Sequence, residues 1–594
     1  MSLVLNTYDI QKDWKEYKID IEKLKKSRKH DSEENAIAFA RSFCYSVVKN
    51  LWKYTDQKKK WKCRQITVPM VELDFQTLIL SKEISDYFIS MNIMEYAYLL
   101  GNLYTMLLPN SYRADNGIYY TPPLLAERLI DLLVADGADL AQGNILDPAC
   151  GGGAFLVTVA NRMLGDYRIK ELSAEIKLSH LEQHLAGIEI DRFAGWLTQV
   201  LLDIITYPEA LAAGRRLKTV VKIQNTIQYA LKEEKKFDVV VGNPPYGRIK
   251  LDEDTRTAYK RSLYGHANLY GLFIDAALRL KKPDGLVGFV TPTSFLGGKY
   301  FSNLRKLLVQ DSPPLTIDFI SVRAGVFDQV LQETCLVTFG RNVARRVTTS
   351  KISMEDSAYN VERIGSFEVK KGISPWIIAR EPSEADIVNR VNKINTTLID
   401  YGYKVSTGQL VWNRLKEQIT ERADNGSKPI IWAEAITSEG KFTFDYVYRN
   451  RVKYITVTDK QHFLICNTSA VLVQRTTAKE QSRRLQACIL PQVFIDKWSG
   501  VVVENHVNMI HADMNNMKIS LEALALILNT QIVDRIFRCL SGSVAVSATE
   551  LHALPLPPIN KVLEIERIIV SGKKGKNLTD AVEQIVTKAY GLED

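Results

Sequence analysis

At 594 residues, 46% hydrophobic and 24% charged, the chain has an ordinary globular composition and enough length for roughly four folding units of about 150 residues each. A single small module is excluded, as are collagen-like, disordered and disulfide-stapled chains. The net charge of +9 makes the surface mildly basic, which permits a nucleic-acid partner without requiring one.

Seven scattered cysteines form no Cys-x-x-Cys pair, so neither a zinc ribbon nor a redox dithiol is expected, and no metal. The first residues lack a basic stretch followed by an apolar one, and no uncharged apolar run approaches the roughly 18 residues of a bilayer span. A cytoplasmic protein without membrane contact is the expectation.

From Ile10 to Leu100 the apolar residues recur at helical spacing, with Trp14, Tyr17 and Ile21 on one face and Phe39, Phe43, Val47 and Leu51 on another. This predicts a small helical domain over 1–110. Its basic run, Lys58-Lys59-Lys60-Trp61-Lys62, reads as a solvated loop. Glu16-Tyr17-Lys18 matches the acid-x-Lys fragment of nuclease sites, but it sits in a helical pattern with no preceding acid-bearing strand and is read as chance.

Beyond Asn116 short apolar strands alternate with helices, as a parallel doubly wound sheet requires. The predicted strands are Asn144–Asp147, Leu185–Ile190, Val220–Gln224, Phe237–Gly242, Leu286–Thr291, Ile317–Val322 and Thr334–Gly340. The last two are expected to pair as an antiparallel hairpin at the sheet edge. Seven strands with that ending suggest a Rossmann-like methyltransferase sheet over 111–345. After Arg345 the alternation dissolves into a mixed α/β region over 346–594, closed by a helix at Leu578–Ala589.

The strongest chemical signal is Asn243-Pro244-Pro245-Tyr246, directly after the strand ending in Gly242. Two prolines fix successive φ angles and force Asn243 into extended backbone, giving a rigid loop at the carboxyl end of a parallel strand. That edge is where open α/β sheets bind ligands. The Asn243 amide oxygen and the Pro244 carbonyl can converge on one planar amino group, and Tyr246 offers a flat face to a ring. Accepting both hydrogens of an adenine amino group draws its lone pair out of the ring, so a methyl sulfonium can be attacked without a general base.

The second signal is Asp147-Pro148-Ala149-Cys150-Gly151-Gly152-Gly153, a strand end running into a glycine turn and a helix. The glycines let backbone approach a ligand. The turn lacks Gly-x-Gly-x-x-Gly spacing, and Asp147 would repel a phosphate, so a dinucleotide is disfavoured. Asp147 suits a cationic amino-acid moiety, and Glu189 at the next strand end can accept from both hydroxyls of a ribose.

In order and content these motifs resemble the gamma-class adenine-N6 DNA methyltransferases of bacterial restriction-modification systems. Tyr119-Tyr120-Thr121-Pro122-Pro123, the Asp147-Pro148-Ala149-Cys150 glycine loop, Glu189 and Asn243-Pro244-Pro245-Tyr246 follow one another as that family's motifs do. The resemblance implies S-adenosylmethionine lodged between Thr121, Asp147, Ala149, Gly151, Gly153 and Glu189. It implies an adenine flipped out of double-stranded DNA at Asn243, stacked between Tyr246 and Phe327. Where the family's third strand ends in an aspartate, this chain has Asn225, which is assigned the contact to the cofactor's adenine.

The long C-terminal region is then expected to recognise the target sequence, with Arg414, Arg475, Arg483 and Arg484 as phosphate or base-edge contacts. A restriction endonuclease, if one acts with it, is expected to be separately encoded. The alternatives are a methyltransferase for ribosomal RNA or a protein glutamine, and a non-catalytic cofactor-binding subunit of a DNA defence complex.

Overall fold

The computed structural model describes residues 13–592 except 117–120, 234, 322–332, 342–345, 356–357, 371, 373, 425, 445–451, 478–480, 514–515 and 541–544. The chain divides into two compact units. One comprises Met1–Pro292, Leu307–Arg345 and Ile352–Val361, and the other Thr293–Lys306, Arg346–Lys351 and Glu362–Asp594.

The first unit opens with helices α1 (Trp14–Ser27), α2 (Glu33–Thr55), α3 (Phe75–Ile89), α4 (Ile93–Leu107), α5 (Asn110–Asn116) and α6 (Pro123–Ala135). Each of the first four is started by a side chain that accepts from the first-turn amides: Asp13, Ser32, Asp74 and Asn92. In α1 the cap is reciprocal, Glu16 reaching back to the Asp13 amide at 3.0 Å, which gives Glu16 a local structural role. Phe43, Val47, Leu100 and Leu103 of these helices are buried in the same hydrophobic cluster as Ile145 and Val239 of the sheet.

The central sheet contains β1 (Ile145–Asp147), β2 (Leu185–Glu189), β3 (Val221–Ile223), β4 (Phe237–Gly242), β5 (Lys281–Pro292), β6 (Pro314–Ile320), β7 (Thr334–Phe339), β8 (Arg346–Glu355) and β9 (Ala358–Glu368). Their order is β9-β8-β6-β7-β5-β4-β1-β2-β3. β3, β2, β1, β4 and β5 pair in parallel, while β7 runs antiparallel to both β5 and β6.

Each of the seven predicted segments is a strand of this sheet, and β6 and β7 do pair. The sheet nevertheless has nine strands, and the β6–β7 hairpin is not its edge, because β8 and β9 lie beyond β6. β8 hides from an apolar-alternation reading because Thr349 and Ser350 take buried places beside Val347 and Ile352, and β9 because only Ile364 and Phe367 of its described side chains are buried.

Because β1, β2 and β3 are laid down in one direction and β4 and β5 on the other side of β1, the sheet reverses its winding between β1 and β4. The carboxyl ends of β4, β1 and β2 are therefore neighbours at a topological switch point. Helices α7 (Ala154–Gly165), α8 (Ala174–His184) and α9 (Arg192–Ile205) connect β1 to β2 and β2 towards β3.

The second unit has a four-stranded antiparallel sheet of β10 (Tyr403–Thr407), β11 (Ala470–Gln474), β12 (Ala487–Leu490) and β13 (Val507–Ala512), ordered β10-β13-β11-β12. Five short strands between Ile419 and Val503 form a further sheet whose core includes Ile430, Ile431, Val502 and Leu464. Helices Leu521–Leu528, Gln531–Leu540 and Lys576–Ala589 follow. Among the described residues no helix is long and apolar enough to cross a membrane.

Candidate active site

Asp147, Glu189 and Gly242 end three adjacent strands, so the loops that follow them open on one edge of the sheet. Asp147 is 1% exposed and its Oδ1 accepts from the Ala149 amide at 3.0 Å. Burial, and secondarily the charge on Glu189, pushes its carboxyl up to about 8. A Cβ at Gly242 would stand 2.7 Å from Asp147 Oδ1, so glycine is what lets β4 pass this carboxylate on its way into the Asn243 loop.

The glycine turn is shaped by left-handed backbone, Gly151 at φ +49° and Gly153 at φ +86°. Gly153 starts α7, its carbonyl accepting from Val157 at 2.8 Å, and Thr198 of α9 donates to the Gly151 carbonyl at 2.6 Å. Glu189 ties this turn to its own strand end. One oxygen accepts from the Gly151 amide at 2.8 Å and the other from the Ile190 and Asp191 amides at 2.9 and 3.0 Å. Burial still raises its pKa despite those donors.

Asn243 is half-buried. Its Nδ2 donates to Thr121 Oγ1 at 3.1 Å, and the Tyr246 hydroxyl donates to its Oδ1 at 2.8 Å. The same hydroxyl stands 3.3 Å from the Val290 carbonyl of β5. Tyr246 is 8% exposed and meets Tyr270 edge-on, with ring centroids 6.2 Å apart. The structure thus joins Thr121, which sequence reading grouped with the glycine turn, to Asn243.

Asn225 is exposed after β3, and its Oδ1 caps the short turn Thr226–Tyr229 by accepting from Ile227 at 2.9 Å. Phe327 lies outside the described residues, as do Tyr119 and Tyr120.

Two features escaped sequence reading. Ile190, immediately after Glu189, is 65% exposed, an apolar face beside a carboxylate. Its signal lies in Gly187-Ile188-Glu189-Ile190-Asp191, one residue past the Glu189 carboxylate. Asp191, which caps α9 through the Phe193 amide at 2.8 Å, also accepts from Tyr104 at 2.9 Å and faces Arg41 at 3.6 Å. Nothing local to Arg41 or Tyr104 announces this contact, since both belong to helices far earlier in the chain.

In the second unit the four arginines divide. Arg414 is exposed on the turn Trp412–Arg414. Arg475 is partly buried, its guanidinium donating to the Asn505 carbonyl at 2.9 Å. Arg483 is half-buried, whereas Arg484 is 2% exposed, with Nε donating to Thr477 at 3.1 Å. Asp534 receives the Arg484 and Leu485 amides at 2.6 and 2.7 Å, and burial lowers the Arg484 pKa. Arg484 is an interior residue, so its expected place on a DNA-facing surface is corrected: of the Arg-Arg pair, one is half-buried and the other fully buried.

Residues 164–327 match the Eco57I restriction-modification methylase family. Among curated proteins the chain is similar to the Type II methyltransferase M.PstI of Providencia stuartii, 27% identical over 373 residues, covering 61% of this chain and 73% of the relative. It is also similar to the Type II methyltransferase M.BsuBI of Bacillus subtilis, 25% identical over 485 residues, covering 77% and 91%. Among solved structures it resembles the Type IIL restriction-modification enzyme MmeI in complex with DNA, with a TM-score of 0.54 at 13% identity over 96% of this chain and 90% of that one. That last likeness is one of fold.

Proposed function

We infer that this restriction-modification DNA methyltransferase transfers a methyl group from S-adenosylmethionine to the exocyclic N6 of an adenine in double-stranded DNA, in the cytoplasm. The observation that carries the reading is a rigid, proline-locked amide, Asn243, one strand away from an acid-lined glycine turn. The motif order from Thr121 to Tyr246 supports the gamma class within that group. Kinship with Type II methyltransferases favours DNA over ribosomal RNA or protein glutamine, and catalysis over a purely binding subunit.

The residues fit the cofactor. Glu189 sets a carboxylate beside the exposed apolar face of Ile190, the combination an adenosine diol and purine would use. Asp147 supplies a buried carboxyl that ionises against an arriving ammonium group, with Ala149, Gly151 and Gly153 lining the turn. When bound, the cofactor supplies an electrophilic methyl on a sulfonium. Because the Asn225 oxygen is engaged by its helix cap, its NH₂ is the end we assign to a purine ring nitrogen.

Asn243 Oδ1 and the Pro244 carbonyl accept the two N6 hydrogens, with Pro244 and Pro245 holding the loop stiff. Tyr246 both orients Asn243 and covers the base, and Phe327 is assigned the opposite face. Cleavage is assigned to a separate endonuclease. The test is methyl transfer from labelled S-adenosylmethionine to unmethylated duplex DNA, ribosomal RNA and protein in parallel. Label confined to DNA is expected, and label in RNA or protein but not DNA overturns the reading.

Asp147 carries a pH prediction. Its folded-state pKa of about 8 stands above the ordinary aspartate value near 3.9, so the folded chain binds this proton more tightly than the unfolded one. Stability of the cofactor-free protein therefore falls from this group as pH rises from about 4 to about 8. Asp147→Asn removes the effect, so the variant's stability advantage in denaturant unfolding should grow over that window and level off above it, while cofactor affinity drops. A pH-independent difference would contradict the assignment.

The arginines separate into two kinds of outcome. Arg414→Ala should weaken DNA binding and reduce the slope of log affinity against log salt by about one, with stability unchanged. Arg484→Met should instead lower unfolding stability by about 2–4 kcal/mol, because it leaves the buried Thr477 hydroxyl and the nearby buried Glu550 and Asp534 without their cation. Filter-binding salt titrations and urea unfolding tell the two apart.

A further inference from the structure

We propose that His506 reads a base edge of the DNA target and that the buried Glu504 carboxylate aims it, a role that rests on the reading of the chain as a DNA methyltransferase. The placement follows from where the four-stranded sheet of the second unit sends its connections. β10 and β11 both run antiparallel to β13, with Thr407 opposite Asn508 and Gln474 opposite Val507. The segments that leave β10 at Gly408, leave β11 at Arg475 and enter β13 from Glu504 therefore meet at one end of the sheet. The first two carry Arg414 and Arg475, both expected from the sequence to contact DNA. The third, Glu504-Asn505-His506, lies between them, because β13 separates β10 from β11.

This turn is built onto both of its neighbours. The Gly408 amide donates to the Val507 carbonyl at 2.8 Å and the Asn505 amide to the Leu410 carbonyl at 3.0 Å. A Cβ at Gly408 would stand 2.2 Å from the Glu504 carbonyl oxygen, so glycine is what lets the β10 segment close on the turn. From the other side Arg475 donates its amide to the His506 carbonyl at 2.8 Å and its guanidinium to the Asn505 carbonyl at 2.9 Å. Arg475 thus braces the turn, and of the three turn residues His506 is the exposed one.

Glu504 is fully buried. Its carboxylate accepts from the His506 amide at 2.8 Å and stands 2.8 and 2.9 Å from the ring Nδ1. A carboxylate in the interior is costly unless its oxygens are engaged, and here both serve one exposed residue. A carboxylate only accepts, so Nδ1 carries a proton, and the neutral ring then has its lone pair on Nε2. Among the described residues Nε2 has no hydrogen-bond partner, and the side chain is half exposed. Such an acceptor finds no hydrogen on a phosphate. It does find one on the amino groups that adenine and cytosine present in the major groove. Phosphate contacts fall to cations such as Arg414, exposed on the β10 side of the turn.

The test compares full-length wild type, His506→Ala, Glu504→Gln and Arg414→Ala. Mapping methylation of unmethylated genomic DNA at single-base resolution first locates the sites. Filter binding over a salt series then uses site duplexes with single base-pair changes, or with one base outside the methylated one stripped of its amino group: purine for adenine, 2-pyrimidinone for cytosine. His506→Ala should lose roughly five- to fiftyfold in affinity for the site and lose discrimination at one base pair. It should also become indifferent to the amino group at that pair, with the salt slope unchanged. Glu504→Gln, whose amide can offer Nδ1 a hydrogen, should relax the same position. Arg414→Ala should weaken every duplex alike and lower the slope. Wild-type discrimination in His506→Ala overturns the proposal. So does a uniform loss with the slope lowered by about one, which makes His506 a phosphate contact, and so does discrimination lost at a position where no amino group matters, which makes the ring a donor. Full discrimination in Glu504→Gln overturns the aiming role. Absence of DNA methylation by the wild type would instead overturn the reading of the chain as a DNA methyltransferase.

Discussion

Replacing Asn243 by alanine is expected to lower the methyl-transfer rate by roughly 10²–10³-fold while leaving cofactor affinity within a fewfold of wild type. The amino nitrogen of adenine becomes nucleophilic only as its hydrogens are drawn out of the ring plane. Acceptors aimed at those hydrogens therefore stabilise the transition state more than the ground state. The Asn243 side chain bonds Thr121 and Tyr246, neither of which belongs to the glycine turn. Tyr246 retains the Val290 carbonyl when the amide is gone, which limits the cost to the fold. Turnover close to wild type would remove Asn243 from the chemistry.

Glu189→Ala should weaken cofactor binding by at least roughly a hundredfold and also lower the thermal midpoint. Losing a charged acceptor for two hydroxyls costs about 1.5–3 kcal/mol on its own. The structure adds a second loss, because the same carboxylate gathers the amides of Gly151, Ile190 and Asp191 and so holds the glycine turn against β2. Calorimetry and a thermal melt should move together. An unchanged Kd with a lowered midpoint would leave Glu189 a loop-shaping residue only.

The inner strands of the parallel half were legible because they carry short apolar runs buried on both faces, as Val239, Val240 and Val241 illustrate. β8 was not, since Thr349 and Ser350 occupy buried positions there and the alternation reads as polar, and β9 was not, since only Ile364 and Phe367 of its described side chains are buried. The strand-end residues Asp147, Glu189 and Asn243 were legible because chemistry and backbone restriction coincide at them: an acid before a glycine turn, an asparagine before two prolines.

Partners distant in the chain were not legible. Tyr104 and Arg41 reach Asp191 across 87 or more residues, and the Arg484 backbone amide is held by Asp534, 50 residues later. The two compact units likewise interleave along the chain. A cut after Arg345 removes Ile352–Val361 from the first unit, so target recognition is better probed by side-chain replacement than by truncation.

Methylation of unmethylated duplex DNA by the purified chain, mapped at single-base resolution with the methylated atom identified, tests the proposed chemistry most directly. N6-methyladenine confined to one short sequence, and lost in Asn243→Ala, is the expected result. Methylation of cytosine, or adenine methylation that persists undiminished in Asn243→Ala, would contradict it.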